Sequence, residues 1–106
     1  MKTEMVETFW VKIYLSGPIE TAKDIIRRDV LEQGLCVTIE STLFIYTGGE
    51  EFGFVVGLVN YPRFPINPEL IWERALDLAM KLLEGTYQHS VLIMSPLQTK
   101  WITKRE

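Results

Sequence analysis

The most pointed chemistry in this chain of 106 residues is the string Tyr61-Pro62-Arg63-Phe64-Pro65. Prolines on both sides pre-set the backbone, so the Arg63 guanidinium is presented at low entropic cost. A planar fork beside Tyr61 and Phe64 suits an anion clamp: it takes a phosphate or carboxylate while a ring stacks on a base. The same string also describes a stiff linker whose rings cover a helix end. A second group is Lys12 and Tyr14, which share one parity of the alternating stretch Phe9–Ser16. Thr38, Glu40 and Thr42 hold the corresponding parity of a later strand. Side by side they can line a polar pocket between subunits, or form an ordinary wet sheet face.

Other candidates are weaker. Gly48-Gly49-Glu50-Glu51 puts two carboxylates at a loop tip, but adjacent glutamates with no further oxygen ligands make a poor cation site. Gly48 and Gly49 count as ligand-binding candidates because binding can order such a tip. Ser16-Gly17-Pro18 opens a helix and can cradle an anion with backbone N–H groups; it lacks the Gly-x-Gly-x-x-Gly and Walker patterns, so a plain turn is favoured. His89 is the single histidine and stands alone after a helix. Cys36 has no partner histidine, and Ser90 belongs to no nucleophile motif. Trp72 and Trp101 read as core or interface residues. No triad, metal cluster or spaced carboxylate pair emerges. The expectation is a non-enzymatic binding module without cofactor or metal.

The totals narrow the classes further. A net charge of −3 argues against a general nucleic-acid binder, which needs a basic stripe. One cysteine excludes an internal disulfide and fits a reducing cytoplasm. The N-terminal stretch lacks a signal-peptide run, and no segment approaches the roughly 18 apolar residues of a membrane span. The chain reads as one domain with residues 1–7 frayed.

These side chains need elements to position them. Period-two alternation makes Phe9–Ser16 a strand. Ile19, Ala22, Ile26 and Val30 mark a helix over 20–33, closed by Gly34. Leu35–Tyr61 then reads as two long strands around a glycine turn, and Ser41 suggests a bulge at 40–42. The return strand is apolar on both parities, so helices can shelter only one of its faces and a partner subunit is the simplest cover for Val55 and Val59. Asn67-Pro68 caps a second helix over 69–84, and a short strand follows at 91–95. The fold class is α+β: a ferredoxin-like βαββαβ split βαβ with a long hairpin and both helices on one face of an antiparallel sheet.

Several stretches resemble the PII and CutA group of small trimeric proteins. They are EQGLCVTIE at the second strand, Ile45-Tyr46 before a glycine-bearing turn, the proline-rich link and the late Lys100-Trp101-Ile102. The string GLVNYPRFP has no counterpart there. The resemblance implies a homotrimer with sheets facing inward and sites in clefts between subunits; PII-like proteins bind adenine nucleotides and CutA-like proteins are associated with divalent metals. Neither family's binding residues match this chain position by position. The expected ligand is therefore a small anion, a nucleotide among the candidates, held by a homo-oligomer. An alternative is a protein-interaction or inhibitor module using the open sheet face with Trp10, Phe44 and Phe52. Another is a nucleotide-modifying enzyme, because Ile13–Ile19 is similar to the first strand and loop of nucleoside deoxyribosyltransferases. Those enzymes require a doubly wound sheet, where this chain offers a hairpin.

Overall fold

The computed structural model describes residues 1–105. Along the chain run β1 (Trp10–Ser16), α1 (Ile19–Gln33), β2 (Val37–Tyr46), β3 (Gly49–Val59), α2 (Pro68–Gly85), β4 (Ser90–Met94) and β5 (Thr99–Thr103). The strands form one antiparallel sheet in the order β2-β3-β1-β4-β5. The first six elements are the expected ferredoxin-like split βαβ, and the sheet is not doubly wound. β5 is an addition at the edge. Pro96 does not end the sheet but sits in a tight turn, where the Ser95 hydroxyl accepts from the Leu97 and Gln98 amides at 3.1 and 3.2 Å.

Alternation decides which side of each strand is dry. Val11, Ile13 and Leu15 of β1, Phe54, Val56 and Leu58 of β3, and Val91 and Ile93 of β4 are buried together. α2 is their main cover, through Ile71, Ala75, Leu78, Ala79, Leu82 and Leu83. Its start follows the sequence: the Asn67 side chain accepts from the Glu69 amide at 2.8 Å and Pro68 occupies the first turn. α1 contributes less, burying Ala22, Ile26 and Asp29, and ends on Gly34 at φ 75°.

Asp29 is the one charge in that stripe. Its carboxylate, only 8% exposed, accepts from the Lys81 ammonium of α2 at 2.7 Å, and Asp77 joins at 3.2 Å. The pair ties the two helices together across their outer seam. Hydrogen bonds donated to Asp29 and then to Asp77 raise the lysine's pKa above its ordinary 10.5.

The hairpin runs in continuous register from Val37↔Leu58 to Tyr46↔Gly49, so the expected bulge at 40–42 is absent. Ser41 faces the helix side opposite Phe54, beyond the reach of the helix layer, and needs no bulge to escape the core. The turn is Thr47-Gly48, and only Gly48 has a positive φ, at 89°. β1 ends at Ser16, opposite Gly53, so beyond it the hairpin ladder runs between β2 and β3 alone, apart from the Gly17 amide donating to the Phe52 carbonyl at 3.2 Å. Four residues at about 3.3 Å each make a free arm of roughly 13 Å.

At Gly53 a side chain has no room. A Cβ there would strike the Leu15 carbonyl and the Phe44 ring, and would come within 2.9 Å of the Ser16 Cα. The glycine lets Phe44 fold across the strand at the root of the arm. Gly53→Val is expected to cost about 1–3 kcal/mol through overpacking, read as a lower urea midpoint at unchanged slope. Lys81→Met strands the Asp29 carboxylate and is expected to lower Tm at neutral pH. The ion pair's contribution is present below pH 10.5 and lost as pH rises through the higher folded-state pKa. Wild type should therefore lose stability above pH 10.5 more steeply than Lys81→Met does; parallel melting curves across that range would refute this.

Candidate functional site on the open sheet face

The helices leave one face of the sheet bare. The strand registers set its side chains in rows. One row runs Glu40, Val55, Tyr14, Leu92, Trp101 across all five strands. The next holds Thr38, Gly57, Lys12, Met94 and Thr99. Trp10 pairs with Val59 at one end, and Ser16, Gly53 and Thr42 lie at the other. The centre is apolar and half-buried, with Tyr14, Val55, Leu92 and Met94 in intermediate positions. Val59 is 45% exposed and Trp101 62% exposed. The two residues the sequence marks as beyond a lone protomer's cover, Val55 and Val59, are both on this face.

Polar groups frame the apolar centre. The Lys12 ammonium lies 5.4 Å from the centroid of the Trp10 ring, a cation–π contact that steadies both. Gly57 makes space beside it: a Cβ there would meet the Thr38 hydroxyl at 2.5 Å. At the arm's root the Ser16 hydroxyl donates to the Glu51 carboxylate at 2.8 Å. Glu40 is exposed and stands at the β2 end of the aromatic row. Aromatic faces for a base or a cation, carboxylates for a positive group and a lysine for a negative one are thus on a single surface.

Of the residues expected from the sequence, Lys12, Tyr14, Thr38 and Glu40 are brought together here. Arg63 and Tyr61 are not. They sit past the end of β3, in a turn closed by the Phe64 amide donating to the Tyr61 carbonyl at 2.9 Å. Arg63 stacks over Phe64 at 5.4 Å, and Tyr61 and Phe64 are 6.4 Å apart. A concavity of about 480 Å³ lies there beside Lys2 and Glu4, which pair with each other at 3.0 Å. Gly48 and Gly49 are at the opposite end, a β3 length of roughly 36 Å away at 3.3 Å per residue. Gly48 makes the turn, and Gly49 lets the Tyr46 ring lie within 3.2 Å of where a Cβ would stand.

The anion cradle at Ser16-Gly17-Pro18 is also taken by other groups. The Gln88 side chain lies over Gly17, 2.9 Å from a would-be Cβ, and the Gly17 amide donates to the Phe52 carbonyl at 3.2 Å. His89 is exposed and uses its carbonyl for the Lys104 amide. Phe52, grouped with Trp10 and Phe44 in the sequence reading, faces the other side of the sheet, paired with Leu43. Sequence reasoning undervalued Glu51, Ser16 and Trp101. The signal for Trp101 was its parity opposite to Ile102, which packs against the core. Among the described residues no group of three or more metal-ligating side chains converges.

No protein-family model matches the chain, and comparison with curated proteins finds no match. Among solved structures it is similar to a phage SAM lyase in the apo state, with TM-score 0.74 and 16% identity over 100% of this chain and 98% of that one. It is also similar to a phage SAM lyase in complex with S-methyl-5'-thioadenosine, with TM-score 0.67, 16% identity and the same coverage. Likeness at this identity establishes the fold, ferredoxin-like α+β. It also corrects the expectation of a non-enzymatic binding module, because the neighbours that share the whole fold are lyases.

Proposed function

We propose that this protein is a lyase acting on S-adenosylmethionine, releasing S-methyl-5'-thioadenosine. The observation that carries the reading is the end-to-end fold correspondence with phage SAM lyase, at TM-score 0.74 over the whole chain. The bare sheet face supports it chemically. S-adenosylmethionine carries an adenine, a sulfonium, an ammonium and a carboxylate, with net positive charge. Trp10, Tyr14 and Trp101 offer surfaces for stacking and cation–π contact. Glu40 and Glu51 offer negative charge to a ligand of net positive charge, and Lys12 is held over the Trp10 ring at the rim. The ligand on this reading is a cation, not the anion expected from Arg63.

The chemistry asks for little acid–base work, which fits the absence of a triad in the sequence. The sulfonium is already a good leaving group. In the cleavage we propose, the substrate's own carboxylate attacks the methionine γ-carbon from the side opposite sulfur. The carbon–sulfur electron pair passes to sulfur, which leaves as a neutral thioether, and the four-carbon fragment closes to a lactone that keeps its ammonium. Negative carboxylate and positive sulfonium disappear together in the transition state. Such charge loss is favoured by a dry, weakly polar site. A protein carboxylate set against the sulfonium would stabilise the ground state more than the transition state. Glu40 is therefore assigned to the ammonium, whose charge persists throughout.

A dry site needs a lid over Val55, Tyr14, Leu92 and Trp101, and we propose sister copies of the chain as that lid. The trimer implied by the PII and CutA resemblance is the assembly this reading favours. Incubating the purified protein with S-adenosylmethionine should yield S-methyl-5'-thioadenosine by liquid chromatography with mass detection. No product above the uncatalysed rate would end the reading. Glu40→Gln should lower kcat/KM about 10- to 100-fold, the worth of one charged hydrogen bond. Trp101→Ala should raise KM, and unchanged kinetics in both variants would remove this face as the site.

A further inference from the structure

The arm of the β2–β3 hairpin and the groove beside α1 are matched in character and sit too far apart to meet within one chain. On the arm, Leu43, Ile45 and Phe52 share the side of the sheet that carries the helices, yet lie beyond the helix layer. Ile45 is 75% and Phe52 78% exposed. Glu50 stands on that same side, directly opposite Ile45. Bare apolar side chains on a projecting hairpin are a liability unless something covers them.

The groove lies between α1 and the outer edge of β2, with a volume of about 440 Å³. Ile26, Val30, Val37 and Ile39 line it, and Lys23 and Arg27 stand on its rim. Those two cations pair with Glu20 and Asp24 in exposed contacts three residues apart, at 2.9 and 2.7 Å. Such surface pairs are worth little and exchange readily for a desolvated partner. β2 is an edge strand, so its outer backbone groups are also free of strand partners.

An apolar, acidic arm thus matches an apolar groove with a basic rim. Val37 and Tyr46 mark opposite ends of one continuous ladder, so a copy cannot fold its arm into its own groove. We infer that the arm of one copy seats Leu43, Ile45 and Phe52 in the α1–β2 groove of a second copy, with Glu50 against Lys23 and Arg27. The contact is heterologous, and copies joined this way close into a ring when the rotation permits. It rests on the self-association within the proposed function, but not on the lyase activity.

The test is solution mass by sedimentation equilibrium at micromolar concentration. Wild type should associate. Ile45→Glu should weaken association at least tenfold while leaving the melting curve intact, because the side chain is exposed in the protomer. Glu50→Lys should weaken it too, and adding Lys23→Glu and Arg27→Glu to the same chain should restore it. A monomeric wild type overturns self-association and this contact together. Association that survives Ile45→Glu, or charge reversal without rescue, overturns the contact alone. Activity measured in parallel reports separately on the lyase reading.

Discussion

The helix layer is smaller than the sheet it covers, and this mismatch governs the rest of the molecule. α1 has 15 residues and α2 has 18, so at 1.5 Å per residue they run about 22 and 27 Å. β3 has 11 residues and runs about 36 Å at 3.3 Å per residue. Both helices lie on one side. One whole face of the sheet and the far end of the hairpin on both faces are left without intramolecular cover. What the helices do reach is packed dry: Val11, Ile13, Leu15, Phe54, Val56 and Leu58 are all at most 1% exposed. The stability of the protomer comes from that half, and its surface chemistry from the other.

The uncovered face is neither a plain hydrophobic patch nor a polar exterior. Its centre is aromatic and aliphatic, its frame carries Lys12, Glu40 and Glu51, and glycines at 53 and 57 make room for the Phe44 ring and the Thr38 hydroxyl. That mixture suits a ligand with a flat ring at one end and several charges at the other. It also suits a reaction in which opposite charges cancel, because the walls can exclude water without having to supply a proton or a nucleophile. A reaction of that kind needs no triad and no metal cluster, so residue types alone point away from catalysis even where the proposed activity holds.

Much of the architecture was legible because periodicity is a local signal. Alternation in Phe9–Ser16, the three-and-four spacing from Ile19 to Val30, and Asn67-Pro68 before an apolar stripe each specify an element without outside information. Ser41 misled, since a polar residue on a dry parity suggests a bulge when the end of the helix layer cannot be seen from sequence. The alternation around Trp101 over 99–104 marks a late strand, borne out as β5, but so short a run does not enter the six-element topology because sequence does not separate an edge strand from a tail. The site was half legible. Parity placed Lys12, Tyr14, Thr38 and Glu40 on one face of the sheet, as the registers do, because strand neighbours follow from alternation. Arg63 drew attention through its prolines, yet its position depends on Asn60, whose side chain donates to the Glu7 carbonyl at 2.9 Å and accepts from the Ile66 amide at 3.1 Å. That anchor holds the connector at the end of the sheet, away from the face.

On the proposed function, chemistry occurs on the bare face only once another copy closes over it. Specific activity toward S-adenosylmethionine, measured across a dilution series together with solution mass, tests this directly. Activity per chain should fall as the assembly dissociates and return on concentration. Full activity per chain in a sample shown to be monomeric would contradict it.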